Sequence, residues 1–302
     1  MTEAERNGAR TGRIVDASTT LFSPVGFTPD TLAEAREKKA LGGQVIIVFG
    51  ASPTGIGGAI AYEVALQGAS VVTVSRNKAD NTAAEEFAAS LTEQTGTKAK
   101  WMPADITEKD AADKVIANVV NEFGRVDGVV IASGIRDDFY FIGMSRDRFM
   151  RVFDTNFIGP YFAIQAAFNQ MRRQKPPSGR IVAIGSEAGE KGSPGQTNYA
   201  AAKAALAITI ASIELETEWK YKPKNPELNL TVVNISPGVV RTGLTDDLSP
   251  EQKALLLRET GAERELEPSE VAILVAYALS REGGAILSGK TVPIVGKGPL
   301  IS

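Results

Sequence analysis

The chain contains no histidine and no cysteine among its 302 residues. Without histidine, the Ser-His-Asp and Cys-His arrangements of nucleophilic catalysis are excluded. Without cysteine, disulfides and thiolate nucleophiles are excluded too, and zinc loses its two favoured ligands. No metal site is expected. Long apolar runs are also lacking: none approaches the ~20 residues that span a bilayer. The polar start, Met1-Thr-Glu-Ala-Glu-Arg, has no signal-peptide core. A cytoplasmic protein without a membrane partner is therefore expected. An excess of positive charge is missing as well. The formal net charge is −3, from 33 Lys and Arg against 36 Asp and Glu, so no nucleic-acid partner is expected. Any catalysis must use Tyr, Lys, Asp, Glu or Ser, or borrow the chemistry of a cofactor.

What is present is a regular alternation. The composition, 43% hydrophobic and 23% charged, fits one large α/β domain or two small ones. Apolar runs that read as strands occupy residues 44–49, 70–74, 98–102, 129–132, 180–184, 230–235 and 291–295. Helical patterns lie between them, at 57–66, 82–95, 107–123, 145–173, 196–218 and 269–280. Thr107 and Ser145 read as N-caps. Such alternation implies a doubly wound parallel sheet with helices on both faces. Ligands on such sheets bind at the carboxyl ends of the strands. Residues 1–40 read as an N-terminal arm, with one short helix near Thr31–Leu41, and the compact domain is expected over 41–302. Val15, Leu21, Phe22, Val25 and Phe27 are the arm's candidates for docking; Met1–Arg13 is expected to be dispensable.

Three segments carry chemistry. The first strand is followed by Gly50-Ala-Ser52-Pro-Thr-Gly55-Ile56-Gly57-Gly58. Glycines there let backbone N–H groups approach a pyrophosphate, and the next helix directs its positive end at it. The second strand ends Val74-Ser75-Arg76-Asn77-Lys78, with no carboxylate to hold ribose hydroxyls. Arg76 suits a 2′-phosphate, which favours NADPH; Lys78 equally fits a solvated basic turn. The third segment runs from Ser186 to Tyr199 and Lys203. On a helix, positions i and i+4 share a face, so the ammonium lies beside the phenol. A phenol titrates near ~10, and a fixed cation lowers that value and makes a usable acid. The alternative for this pair alone is a surface lysine beside a half-buried tyrosine.

With Ser186 thirteen residues before Tyr199 and Asn156 thirty before that, the chain from Leu41 onward resembles the short-chain dehydrogenase/reductases. Within them it is most similar to the 3-oxoacyl-(acyl carrier protein) reductases. The resemblance implies a Rossmann-like fold and gives each motif a role. Gly50, Ser52, Gly55, Ile56 and Gly57 would form the cofactor loop. Ser75, Arg76 and Asn77 would hold the adenosine ribose. Asp105 and Ile106 would contact adenine, and Ser133 and Gly134 would follow the fourth strand. Pro237, Gly238, Val240 and Thr242 would pack on the nicotinamide. Asn156, Ser186, Tyr199 and Lys203 would be the catalytic tetrad, the last two also touching the nicotinamide ribose. Five departures mark a specialised relative. There are four residues, not three, between Gly50 and Gly55, and Phe49 replaces a usual Thr. Ile131-Ala132-Ser133-Gly134 replaces Asn-Asn-Ala-Gly. Ile294-Val295-Gly296-Lys297 replaces Val-Asp-Gly-Gly, and Lys220–Glu227 is inserted.

The implied reaction is reduction of a ketone to a secondary alcohol with NADPH, on a 3-oxoacyl or polyketide-like substrate, free or carrier-linked. Ser186 would bind the carbonyl oxygen and Tyr199 protonate it. Lys203 would lower the tyrosine's pKa, and Asn156 would position a water that feeds protons to the lysine. Residues 243–265 would form a substrate lid, with Ala254, Leu255 and Leu257 on its apolar face. Arg172, Arg173 and Lys175 either meet an acidic carrier protein or complement a helix dipole. A homodimer or homotetramer is expected through Ala200–Ile213 and the helix bearing Phe149, Phe153 and Phe157. The alternatives are a dehydrogenase of a free alcohol or sterol, or a non-catalytic dinucleotide-binding scaffold.

Overall fold

The first strand, β1 (Val45–Phe49, VIIVF), is buried at every position. A strand covered on both faces needs no polar alternation, and a β-branched run supplies both sides. Ile46 and Val48 enter one core, while Val45, Ile47 and Phe49 enter the other, as the two-residue period of a strand requires.

A computed structural model describes residues 29–76, 81–246 and 248–297. Among these, α1 (Pro29–Glu37) precedes β1, and α2 (Ile56–Leu66), β2 (Ser70–Ser75), α3 (Thr82–Thr95) and β3 (Ala99–Pro103) follow it. Next come α4 (Ala111–Phe123), β4 (Gly128–Ile131), α5 (Arg146–Phe153), α6 (Gly159–Arg173) and β5 (Ser178–Ile184). The chain continues through α7 (Ala188–Lys191), α8 (Thr197–Glu216), β6 (Asn229–Pro237), α9 (Pro250–Thr260), α10 (Pro268–Leu279), α11 (Arg281–Leu287) and β7 (Thr291–Ile294). The strands form one parallel sheet in the order β3-β2-β1-β4-β5-β6-β7. The winding reverses between β1 and β4, and a crevice opens there at the carboxyl ends of the strands. Helices α2, α3 and α10 cover one face, with Ile60, Val64, Leu91, Leu274 and Val275 in its core. Helices α4, α6 and α8 cover the other, with Val119, Ile164, Met171, Leu206 and Ile210.

Several expectations are corrected. The helix read from Thr107 begins at Ala111, with Asp110 as N-cap. The Asp105 carboxylate accepts from both the Thr107 N–H and hydroxyl, and this local turn competes with helix. The long helix capped by Ser145 is interrupted by a π-turn at Asp154–Ile158. The helix α11 was not anticipated; its Gly-Gly pair lowers helix propensity, yet both glycines are buried. Packed structure also starts before Leu41: Leu32 is buried, and Arg36 pairs with Glu63 of α2 at 2.6 Å. The arm residues Val15, Leu21, Phe22, Val25 and Phe27, and Asn77 and Lys78, lie outside the described residues.

Candidate active site

The glycine loop leaves β1 at Gly50, whose φ of +82° suits glycine. A Cβ there would stand 2.4 Å from the Ser133 nitrogen. A Cβ on Gly57 would stand 2.3 Å from the Gly50 carbonyl oxygen. The loop therefore folds tightly against β4 and its own start. Helix α2 begins with Gly55 at its N-cap and no side-chain cap, so its first N–H groups remain available to an anion.

One cavity of about 610 Å³ collects the expected residues. Gly50, Ser52, Gly55, Ile56 and Gly57 line it from the glycine loop, and Ser75 and Arg76 from the end of β2. Asp105 and Ile106 follow β3, Ser133 and Gly134 follow β4, and Pro237, Gly238, Val240 and Thr242 close the wall after β6. Arg76 is exposed at the rim. These residues fit a nicotinamide dinucleotide on two grounds. A side chain at Gly50 or Gly57 would invade the cradle, and the buried Ser133 hydroxyl lacks a partner among the described residues.

The same cavity receives Ser186, Tyr199 and Lys203. Ser186 follows β5, and the other two sit one turn apart on α8, with the Lys203 ammonium 5.8 Å from the Tyr199 ring centre. Asn156 stands behind the wall. It lies in the π-turn, fully buried, and its amide accepts from Ile135 N at 2.9 Å and donates to Ile135 O at 3.0 Å. Its Oδ1 and the Lys203 Nζ both lie within 4 Å of the space beside Gly134. π-turns concentrate at functional sites because they re-aim one side chain.

Burial governs the electrostatics of both groups. Burial pushes the Tyr199 phenol above its ordinary value; a hydrogen bond from Ser186 and the Arg136 cation pull it down, and Asp138 raises it again. Burial pushes the Lys203 ammonium itself down to about 8, and its Nζ donates to Ile184 O at 2.7 Å.

Other site residues were missed. Arg136 lines the cavity, pairs with Asp138 and donates to Leu244 O at 2.6 Å, which ties the loop after β4 to the segment after β6. Gln196 donates to the same Asp138 carboxylate at 3.1 Å. Asp137 pairs with Arg148 and Arg151, and its carbonyl accepts from Asn198, whose Oδ1 accepts from Tyr199 N. The signal was the charged run Arg136-Asp137-Asp138 directly after a strand's carboxyl end. Helix α9 carries a capping box at Ser249 and Gln252. It turns Leu256 and Thr260 to the cavity, while Ala254 and Leu255 are exposed.

The pattern of the short chain dehydrogenase family matches residues 44–253. A 3-oxoacyl-(acyl-carrier-protein) reductase of Haemophilus influenzae is 31% identical over 254 residues, 84% of this chain and 97% of the relative. The reductase of that name from Escherichia coli is 31% identical over 84% of this chain and 96% of its own length. Among solved structures, a dehydrogenase/reductase from Sinorhizobium meliloti superposes with a TM-score of 0.73 at 28% identity, covering 87% of this chain and 97% of that one. Among the described residues, no helix is long and apolar enough to cross a membrane. A parallel sheet, a glycine cradle and a Ser-Tyr-Lys set in one cavity thus coincide with likeness over most of the chain, and the chain belongs to the short-chain dehydrogenase family of oxidoreductases acting on CH–OH groups.

Proposed function

We propose that the chain reduces a ketone to a secondary alcohol with NADPH, on a 3-oxoacyl or polyketide-like substrate presented by an acyl carrier. The observation that carries this reading is Ser186, Tyr199 and Lys203 meeting in the cavity that the glycine loop also lines. A bound nicotinamide dinucleotide supplies the hydride. Ser186 donates a hydrogen bond to the carbonyl oxygen and holds it against the Tyr199 hydroxyl. Tyr199 gives up its proton as the oxygen becomes an alkoxide. Lys203, pushed down to about 8, takes part near neutral pH and favours the phenolate once its proton is gone. Asn156, anchored on Ile135, holds the π-turn in place and orders a water toward Lys203.

Arg76 at the rim, with no carboxylate beside it in the sequence up to Lys78, supports NADPH over NADH. A carrier-linked substrate is supported by the relatives' names and by a basic face. Arg172 and Arg173 end α6, Lys175 follows it, and Lys220, Lys222 and Lys224 lie in the inserted segment. The two groups touch, with the Arg172 guanidinium 5.4 Å from the Tyr221 ring centre. The proposed setting is cytoplasmic, as a homodimer or homotetramer. The test is NADPH oxidation with 3-oxoacyl thioesters on a carrier protein, the same acyl groups free, and simple ketones. Turnover that needs NADPH and favours carrier-linked substrate is expected. No oxidation with any ketone would refute the reading.

A further inference from the structure

The segment between the catalytic serine and tyrosine forms one wall of the cavity. Glu187, the residue after Ser186, is 4% exposed, and its two oxygens have different fates. Oε1 accepts from Lys191 Nζ at 2.9 Å. Oε2 is buried without a hydrogen-bond partner among the described residues. It stands 3.2 Å from the position a Cβ on Gly238 would occupy, packed against the wall that this glycine forms. A second orphan lies on the same segment: the Ser193 hydroxyl is buried and also unpartnered. Both residues line the cavity with Ser186 and Tyr199. Native proteins pair almost all buried polar groups, and each exception calls for a physical cause. Thr197 is a third such exception on this segment, away from the cavity; the two that line the cavity point to partners that a ligand brings.

We infer that Glu187 and Ser193 form a polar selection subsite, taking a ketone that carries a hydroxyl or amide N–H close to the reacting carbonyl. This rests on the reductase reading above and narrows its substrate class. Lys191 holds Oε1 and thereby fixes the direction of Oε2, which accepts the substrate's donor. The Ser193 hydroxyl supplies a second bond as donor or acceptor. A plain acyl chain would leave the Glu187 oxygen unpaired, and a site built to hydrogen-bond a substrate group rejects analogues that lack it. The buried residue is a carboxylate where an apolar side chain would serve a hydrocarbon better.

The test uses binding, so that it does not depend on turnover. In Tyr199→Phe enzyme loaded with NADPH, quenching of the cofactor's fluorescence reports the affinity of ethyl 4-hydroxy-3-oxobutanoate and of ethyl 3-oxobutanoate. The hydroxylated ketone should bind at least about tenfold more tightly. Adding Glu187→Leu should abolish that preference; Ser193→Ala should reduce it. Glu187→Gln, whose single oxygen Lys191 would take and whose NH2 would then face the substrate's donor, should also abolish it and serves if the leucine variant misfolds. Equal affinities in the parent, or failure to bind either ketone, would overturn the inference. So would a loss of NADPH affinity on Glu187→Gln, which would assign the oxygen to the cofactor. Discrimination in binding without NADPH oxidation by wild type would instead refute the reductase reading and leave the subsite standing.

Discussion

Replacing Lys203 by methionine should stabilise the protein while disabling it. The lysine is 4% exposed, and burial pushes its ammonium from the ordinary 10.5 to about 8. Below pH 8 the amine is protonated in both folded and unfolded chains, and the folded state bears the full cost of the buried charge. Between 8 and 10.5 the unfolded chain binds more protons than the folded one, so stability rises with pH. Above 10.5 both amines are neutral and the cost is gone. A fall from 10.5 to about 8, at ~1.4 kcal/mol per pH unit, amounts to ~3 kcal/mol at pH 7. Methionine removes that cost and also the hydrogen bond to Ile184 O, a net loss of about 1 kcal/mol. Lys203→Met should therefore be more stable than wild type by about 2 kcal/mol at pH 7 and nearly equal at pH 9.5. Urea unfolding of both proteins without cofactor, at the two pH values, measures this. A variant no more stable than wild type at pH 7, or a difference independent of pH, would refute the reasoning.

Gly57→Ala would place a Cβ 2.3 Å from the Gly50 carbonyl oxygen; it should cost about 1–3 kcal/mol of stability and weaken dinucleotide binding, as thermal melts with and without NADPH would register. Arg76→Ala should lose about 1.5–3 kcal/mol of NADPH affinity and leave NADH unchanged; equal affinity of wild type for both cofactors would contradict the assignment. Phe162, 54% exposed on α6, and Ile208, 70% exposed on α8, should lie in a homo-oligomer interface. Sedimentation of Phe162→Glu/Ile208→Glu should show monomers where wild type shows dimers or tetramers, and a monomeric wild type at micromolar concentration would reject the interface.

The sheet was legible because β1, β4 and β6 are fully or nearly fully covered, and burial on both faces leaves uninterrupted apolar runs. The glycine loop was legible for a steric reason, since Gly50 and Gly57 have no room for a side chain. Helix starts were less so. Asp105 spends its carboxylate on Thr107, and nothing in the residue types distinguishes that turn from an N-cap. The cavity-facing side of α9 was not legible because the sequence places Leu255, Leu256 and Leu257 in a row, and only packing chooses Leu256. Glu187 was hidden for a similar reason: a charged residue in a loop reads as solvated until its neighbours bury it. The burial that raises the Tyr199 pKa was not legible in the i, i+4 spacing, because it is a property of the tertiary fold.

The most direct test of ketone reduction through Tyr199 is to follow deuterium from NADPH labelled at its transferable position into the product, by mass spectrometry. Wild type acting on a carrier-linked 3-oxoacyl substrate should place one deuterium on the new carbinol carbon. Tyr199→Phe should slow that transfer at least about a hundredfold while binding NADPH as before. Unlabelled alcohol, or a Tyr199→Phe rate close to wild type, would contradict hydride transfer assisted by the tyrosine.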